Sequence, residues 1–249
     1  MKEIVKERDR NKQKFLELKD KHKGERCFII GTGPSLRISD LDKLKDEITI
    51  ASNKIYLAFE YTDWRPTYYT INDFVVARNN REIIASLPYY KIAGRCTEPI
   101  FGNDPTFLYF EGVNEKVKEE EAYYPPFSKD IVQYIGGGYT VTYVNIQLAY
   151  YLGIREVYLI GIDFSFKVPS IKHPDAHYGE VIISCGEVNH FLPNYRKTGE
   201  TWTVPRLDFQ RIAFQKSKAE FEKVGGKIFN ASRTTKLDVF PRVDLDSLF

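Results

Sequence analysis

The chain has 249 residues and a net charge of +2, with 43% hydrophobic and 28% charged residues. That size and balance suit one large α/β domain or two small ones, and they exclude the strongly basic field on which nucleic-acid binding rests. Three widely spaced cysteines, Cys27, Cys96 and Cys185, offer neither a disulfide framework nor a zinc spacing, and no apolar run approaches the ~20 residues of a membrane span.

The first 24 residues are rich in Lys, Glu and Arg, with a thin apolar stripe at Ile4, Val5, Phe15, Leu16 and Leu18. They predict an N-terminal charged helix over residues 1–24 ahead of a single α/β domain over residues 25–249. Such a start has no signal-peptide core, and with the cysteine usage it predicts a cytoplasmic protein. The thin stripe fits an exposed helix packed along one edge, or an oligomer contact that would make a homo-oligomer.

Cys27 to Ile30 is an apolar run without alternation, which predicts a strand buried on both faces. It meets the turn Gly31-Thr32-Gly33-Pro34-Ser35, where the glycines let the backbone bend sharply and approach a ligand, and Pro34 stops the strand. The turn is neither GxGxxG, since Leu36 takes the third glycine's place, nor a P-loop, since no Gly-Lys-Ser/Thr follows.

Further along, Ser39 to Asp46 predicts a short helix, and Glu47 to Ser52 a second strand ending on Ser52-Asn53-Lys54. Ile55 to Tyr61 reads as a helix, Thr67 to Ile71 as a strand ending on Asn72-Asp73, Val75 to Leu87 as a helix and Tyr89 to Ala93 as a strand. From Gly94 to Tyr134 four prolines break the pattern. That stretch predicts variable surface, with a possible strand at Thr106 to Phe110 and a charge run at Asn114 to Ala122.

Order returns at Gly136-Gly137-Gly138, followed by a helix from Tyr139 to Leu152 and a buried strand from Glu156 to Ile162 that ends on Asp163. A polar excursion then runs from Phe164 to Val204 and holds three of the four histidines. It is too long for an idle loop and predicts a lid. Pro205 opens a helix through Val224, with Thr203 as its N-cap, and Lys227 to Asn230 is a last strand. Strands alternating with helices predict an α/β, Rossmann-like, mostly parallel sheet with helices on both faces.

Ligands of such sheets bind beyond the carboxyl ends of the strands. Those ends carry Gly31, Thr32, Gly33, Pro34 and Ser35, then Ser52 and Asn53, then Asn72 and Asp73, then Asp163. The turn at Gly138, Thr140 and Thr142 opens a helix, where free N–H groups favour an anion. Each of these residues also serves as an ordinary cap or turn former. Together they form a neutral hydrogen-bonding set with few cations, better suited to a base, ribose and sugar than to a triphosphate.

Among the histidines, His190 is the candidate general base by residue type, the alternative being a surface histidine in a loop. His173, Asp175 and His177 lack a fourth metal ligand, so no metal is expected there.

Gly31-Thr32-Gly33-Pro34-Ser35-Leu36, Ser52-Asn53 and Gly161-Ile162-Asp163-Phe164 resemble a bacterial sialyltransferase family that uses CMP-activated nonulosonic acids. The signature is similar to the domain of flagellin-glycosylation factors and to the archaeal 6-hydroxymethylpterin diphosphokinase-like family, and the resemblance covers Arg26 to Asn230 with a gap of low similarity between Gly94 and Tyr134.

The resemblance implies inverting transfer of a sialic-acid-like sugar to a glycan hydroxyl without a cofactor. Gly31, Gly33, Pro34 and Ser35 match its nucleotide turn; Asn53 and Asn72 match asparagines that hold the donor, and Thr140 matches a donor hydroxyl. The family has an asparagine in place of Thr32. Its histidine base precedes the last helix, where this chain has Asp208, and Tyr178 and Tyr195 are the candidates for its two leaving-phosphate tyrosines. The diphosphokinase alternative implies ATP with Mg²⁺ on Asp73 or Asp163, and a third alternative is a nucleotide-sugar or glycan-binding module without turnover.

Overall fold

A computed structural model describes residues 2–113, 124–170 and 180–249. In chain order its elements are α1 (Lys2–Leu18), β1 (Arg26–Ile30), α2 (Ile38–Asp42), β2 (Ile48–Ser52), β3 (Tyr68–Ile71), α3 (Phe74–Asn79), α4 (Arg81–Ser86), β4 (Lys91–Gly94), α5 (Glu98–Phe101) and β5 (Phe107–Phe110). There follow β6 (Gly112–Val113), β7 (Ile135–Gly136), α6 (Val141–Tyr151), β8 (Glu156–Ile160), β9 (Val181–Ile183), β10 (Thr201–Thr203), α7 (Leu207–Glu222) and β11 (Lys227–Asn230).

The apolar run of β1 is buried on both faces, and its residues divide between two cores. Cys27 and Ile29 face one core with α6 and α7, whereas Phe28 and Ile30 face another with Leu41 and Leu44. Seven strands pair in the order β11-β8-β1-β2-β3-β4-β5, every neighbour parallel. The fold is therefore α/β and Rossmann-like, with a helical layer on each face.

Both sheet edges are covered, which blocks pairing with another chain. Along β5, Asn11 of α1 donates to the Tyr109 carbonyl and Arg10 to the Phe107 carbonyl, each at 3.4 Å. Phe15, Glu7 and Asn11 are buried there, so α1 packs more deeply than its thin stripe predicts. Along β11 the tail bridges at Arg242, with Asn230 N–H donating to Pro241 O at 2.9 Å.

Several boundaries differ from the sequence expectation. The stretch after Gly94 is not only surface, since β5 is buried at all four positions. Its four apolar residues in a row carried that signal. The helix expected over Val75–Leu87 is two helices broken at Asn80, whose side chain accepts from Tyr56 Oη and donates to Val76 O. A short amide competing for backbone partners ends helices in this way.

Asn53–Glu60 is a 3₁₀ helix, and the helix expected at Ser39 to Asp46 is limited to Ile38–Asp42. The last long helix is capped at Arg206 and not at Thr203, because Thr203 is paired with Val181 in the β9–β10 ladder.

Candidate functional site

The chain steps outward from β1 to β5 and returns to place β8 on the other side of β1. That makes the gap between β1 and β8 the topological switch point, where open α/β sheets bind ligands. Here the two loops interlock. Gly31 N–H donates to Ile160 O and Gly33 N–H to Gly161 O, both at 2.8 Å. Ser35 N–H donates to Asp163 Oδ2 at 2.8 Å, and Ser35 Oγ donates to Asp163 Oδ1.

A Cβ on Gly31 would lie 2.5 Å from Gly161 O, and one on Gly33 would lie 2.7 Å from the same oxygen. The glycines thus serve the approach of loop to loop, where the sequence suggested the approach of a ligand. Pro34 is exposed at the tip of the turn.

Burial raises the Asp163 pKa, and its two Ser35 hydrogen bonds oppose that rise. A carboxyl with a raised folded pKa binds its proton in the folded state first. Its contribution to stability is therefore fully present below the ordinary carboxylate range and is lost as pH rises through the raised folded value. Asp163→Ala removes both hydrogen bonds to Ser35 and is expected to cost about 2–3 kcal/mol in denaturant unfolding, with Asp163→Asn costing less.

At the end of β2, Ser52 is buried and Asn53 takes a left-handed φ of 55°. Asn tolerates that region better than most residues. Its carbonyl accepts from Tyr69 Oη at 2.7 Å, while its side-chain Oδ1 is buried with no hydrogen-bond partner. A buried acceptor left open beside a switch point is a place for a ligand donor.

At the end of β3, Asn72 lies over β4, and a Cβ on Gly94 would fall 1.9 Å from its Oδ1. Cys96 Sγ reaches Asn72 O at 3.5 Å. Asp73 caps α3, accepting from Val75 N–H at 2.8 Å and Val76 N–H at 3.0 Å. Burial raises its pKa against those two bonds.

The excursion after β8 carries the antiparallel pair β9–β10 and docks by Asn79 Nδ2 donating to Thr201 O at 2.9 Å. It lays His190 across the β1 turn. Phe191 N–H donates to Thr32 O at 2.9 Å, and His190 Nδ1 lies 3.1 Å from Thr32 Oγ1. The imidazole stacks on Tyr195 at 3.7 Å between ring centres.

Tyr195 Oη accepts from Lys54 N–H at 3.3 Å and lies 3.4 Å from Thr32 Oγ1, so one phenol touches both the β1 turn and the end of β2. Arg196 approaches His190 Nε2 at 3.1 Å. A guanidinium can only donate, so Nε2 is the acceptor and Nδ1 carries the proton. Burial first, then the Arg196 charge, push the His190 pKa down to about 3.

The sequence read this edge as poor in cations, and the structure corrects that. Lys54 and Arg196 both have buried side chains beside the turn. Lys54 pairs with Glu200 at 3.2 Å; Arg196 pairs with Glu187 at 3.4 Å and lies 3.9 Å over the Trp202 ring. Glu200 lies 146 residues from Lys54, and Glu187 and Arg196 are both in the excursion, so no local spacing tied either cation to the β1 turn.

The helix starts form the next border. Thr140 caps α6 through Thr142 N–H at 3.2 Å, and Thr142 is buried. Tyr139 has a φ of 57° and stands half exposed against Phe209 of α7, with ring centres 4.9 Å apart. Gly138 leaves room for Tyr143, whose ring a Cβ would meet at 2.5 Å. Asp208 is exposed in the first turn of α7 and paired with Arg206 at 2.8 Å, which holds its pKa down. Tyr178, His173, Asp175 and His177 lie outside the described residues.

A family model described as 6-hydroxymethylpterin diphosphokinase MptE-like matches residues 2–169, the segment that runs from α1 past the Asp163 clamp. The chain belongs to this MptE-like family. The match takes in the β1 turn, Asn53, Asn72, Asp73, Thr140 and Asp163, and it stops short of His190, Tyr195, Arg196 and α7. What this chain shares with the MptE-like family is thus six of the seven sheet strands and their carboxyl edge, while β11 and the excursion from residue 170 onward lie beyond the match. No curated protein and no solved structure matches the chain. Among the described residues no group of three His, Cys, Asp or Glu is placed to hold a metal ion, and no helix is long and apolar enough to cross a membrane.

Proposed function

We propose that the protein is a nucleotide-sugar-dependent glycosyltransferase that moves a CMP-activated nonulosonic acid to a glycan hydroxyl with inversion. The observation that carries this reading is the seat of His190 on Thr32, above the switch-point turn and stacked on a buried Tyr195.

The donor nucleotide lies along the carboxyl edge, and the open Asn53 Oδ1 accepts a hydrogen bond from it. The glycan hydroxyl gives its proton to His190 Nε2 as its oxygen attacks the anomeric carbon. The bond to the phosphate oxygen breaks, and CMP leaves with that electron pair. Tyr195, a neutral phenol with a pKa raised by burial, and Arg196 supply donors for the departing phosphate. Nε2 must first be released by Arg196, and a phosphate that draws the guanidinium away would free it.

A second reading follows the description of the family: ATP- and Mg²⁺-dependent transfer of diphosphate. It would use Asp73 or Asp163 as metal ligands. Asp73 caps α3 and Asp163 clamps Ser35 with both oxygens, so either acid would have to give up its hydrogen bonds. A non-catalytic binding module is the third reading.

Incubation with a CMP-activated nonulosonate and a glycan acceptor is expected to release CMP in step with glycosylated product. Absence of product across varied acceptors and CMP-sugars would overturn the transfer. Asn53→Ala is expected to weaken CMP binding about tenfold, the worth of roughly one hydrogen bond, and unchanged affinity would remove the end of β2 from the site.

A further inference from the structure

A cavity of about 540 Å³ opens beyond the ends of β1 and β11. Its wall carries Arg37, directly after the β1 turn, with Ser232, Arg233, Thr234, Arg242 and Asp244 from the tail. The apolar residues beneath it, Ala231 and Leu245, belong to the core of Phe28 and Ile30. His190, Tyr195 and Asn53 do not line it.

The three guanidiniums are not equivalent. Arg233 is a fixed part of the wall: its fork donates to both oxygens of Asp40 and to Asp246, which raises its pKa and spends its charge within the protein. Asp244 caps the last 3₁₀ turn by accepting from Asp246 N–H at 3.1 Å. Arg37 and Arg242 have no carboxylate partner among the described residues; Arg242 makes one long contact, 3.4 Å, to Arg233 O.

Two unspent guanidiniums therefore line one space with the Thr234 hydroxyl beside them. Among the described residues Asp244 is the one carboxylate against three guanidiniums in the wall, so the wall is net positive and attracts an anion that accepts several N–H donors at once. Guanidinium forks fit the spaced oxygens of a phosphate. The volume lies in the range of small-ligand pockets and exceeds what a single phosphate needs.

The wall is also tied to the switch point. Ser232 Oγ accepts from Ile162 N–H at 3.0 Å, and Thr235 Oγ1 donates to Ile162 O at 2.7 Å.

We propose that this cavity is a second binding site, for a phosphorylated small molecule whose phosphate is held between Arg37 and Arg242. It stands independently of the glycosyltransferase reading, since none of its residues belongs to the His190 cluster.

The test is calorimetric titration of the full chain with inorganic pyrophosphate at low salt. Wild-type protein is expected to bind at one site, with affinity that falls steeply as salt rises. Arg37→Gln/Arg242→Gln is expected to lose at least tenfold in affinity with an unchanged melting temperature, and each single variant to lose part of that. His190→Ala is expected to bind pyrophosphate as wild type does. No binding by wild type at millimolar pyrophosphate, or full binding by the double variant, would overturn the proposal. So would binding that disappears in His190→Ala, because the anion would then sit on the His190 cluster.

Discussion

His190→Ala is expected to lower glycosyl transfer by about 10²–10⁴-fold, the usual share of a positioned general base, while CMP binding changes little. The residue sits 3.1 Å from Thr32 Oγ1 and 3.1 Å from Arg196, so its loss removes the one imidazole among the described residues that reaches the turn. Full activity in the variant would end its role as the base.

The protonation state adds a finer check. With its pKa held near 3, His190 is neutral throughout ordinary pH in the ligand-free protein. A histidine whose folded pKa is depressed costs stability on acidification. The unfolded chain takes up the proton first, so its contribution falls as pH drops from about 6.5 toward the folded value. Arg196→Gln removes the neighbouring charge and is expected to raise the His190 pKa, read from its imidazole NMR signals. A pKa that stays fixed would leave burial, with the Lys54 charge, as its cause.

Gly31→Ala is expected to destabilise the fold strongly through the β1 turn. The added Cβ would meet Ile162 Cδ1 at 2.3 Å and Gly161 O at 2.5 Å, and the second of these is backbone that cannot swing aside. Overpacking of this kind costs about 1–3 kcal/mol, which for a chain of this size is a fall in melting temperature of roughly 2–12 °C. Gly112→Ala is the matched control, because nothing lies within 4 Å of its new Cβ. Equal melting temperatures for the two variants would mean that the loops after β1 and β8 do not interlock.

The fold was legible because its strands are signalled locally. Cys27 to Ile30 is a continuous apolar run, and a strand buried on both faces needs nothing else. The carboxyl edge could be read for the same reason: small polar residues follow each such run, and parallel pairing brings them to one side.

Their duties could not be read. Asp163 and Ser35 are 128 residues apart, and only the sheet order makes them partners. Asp73 looks the same in sequence whether it caps a helix or faces a ligand. The cations were missed because Arg196 lies deep in the excursion and Lys54 becomes buried only when Tyr195 and Glu200 fold over it. His190 was chosen by residue type alone. Its place on Thr32 depends on a crossing of the sheet edge that no periodicity encodes.

The reading of this edge as a metal-independent nucleotide-sugar site is tested most directly by titrating the purified full chain with CMP in the presence of EDTA. Binding of CMP that survives EDTA, weakens in Asn53→Ala and exceeds the binding of ATP with Mg²⁺ is the predicted result. Binding of ATP that requires Mg²⁺, with none of CMP, would contradict it and transfer the site to diphosphate chemistry.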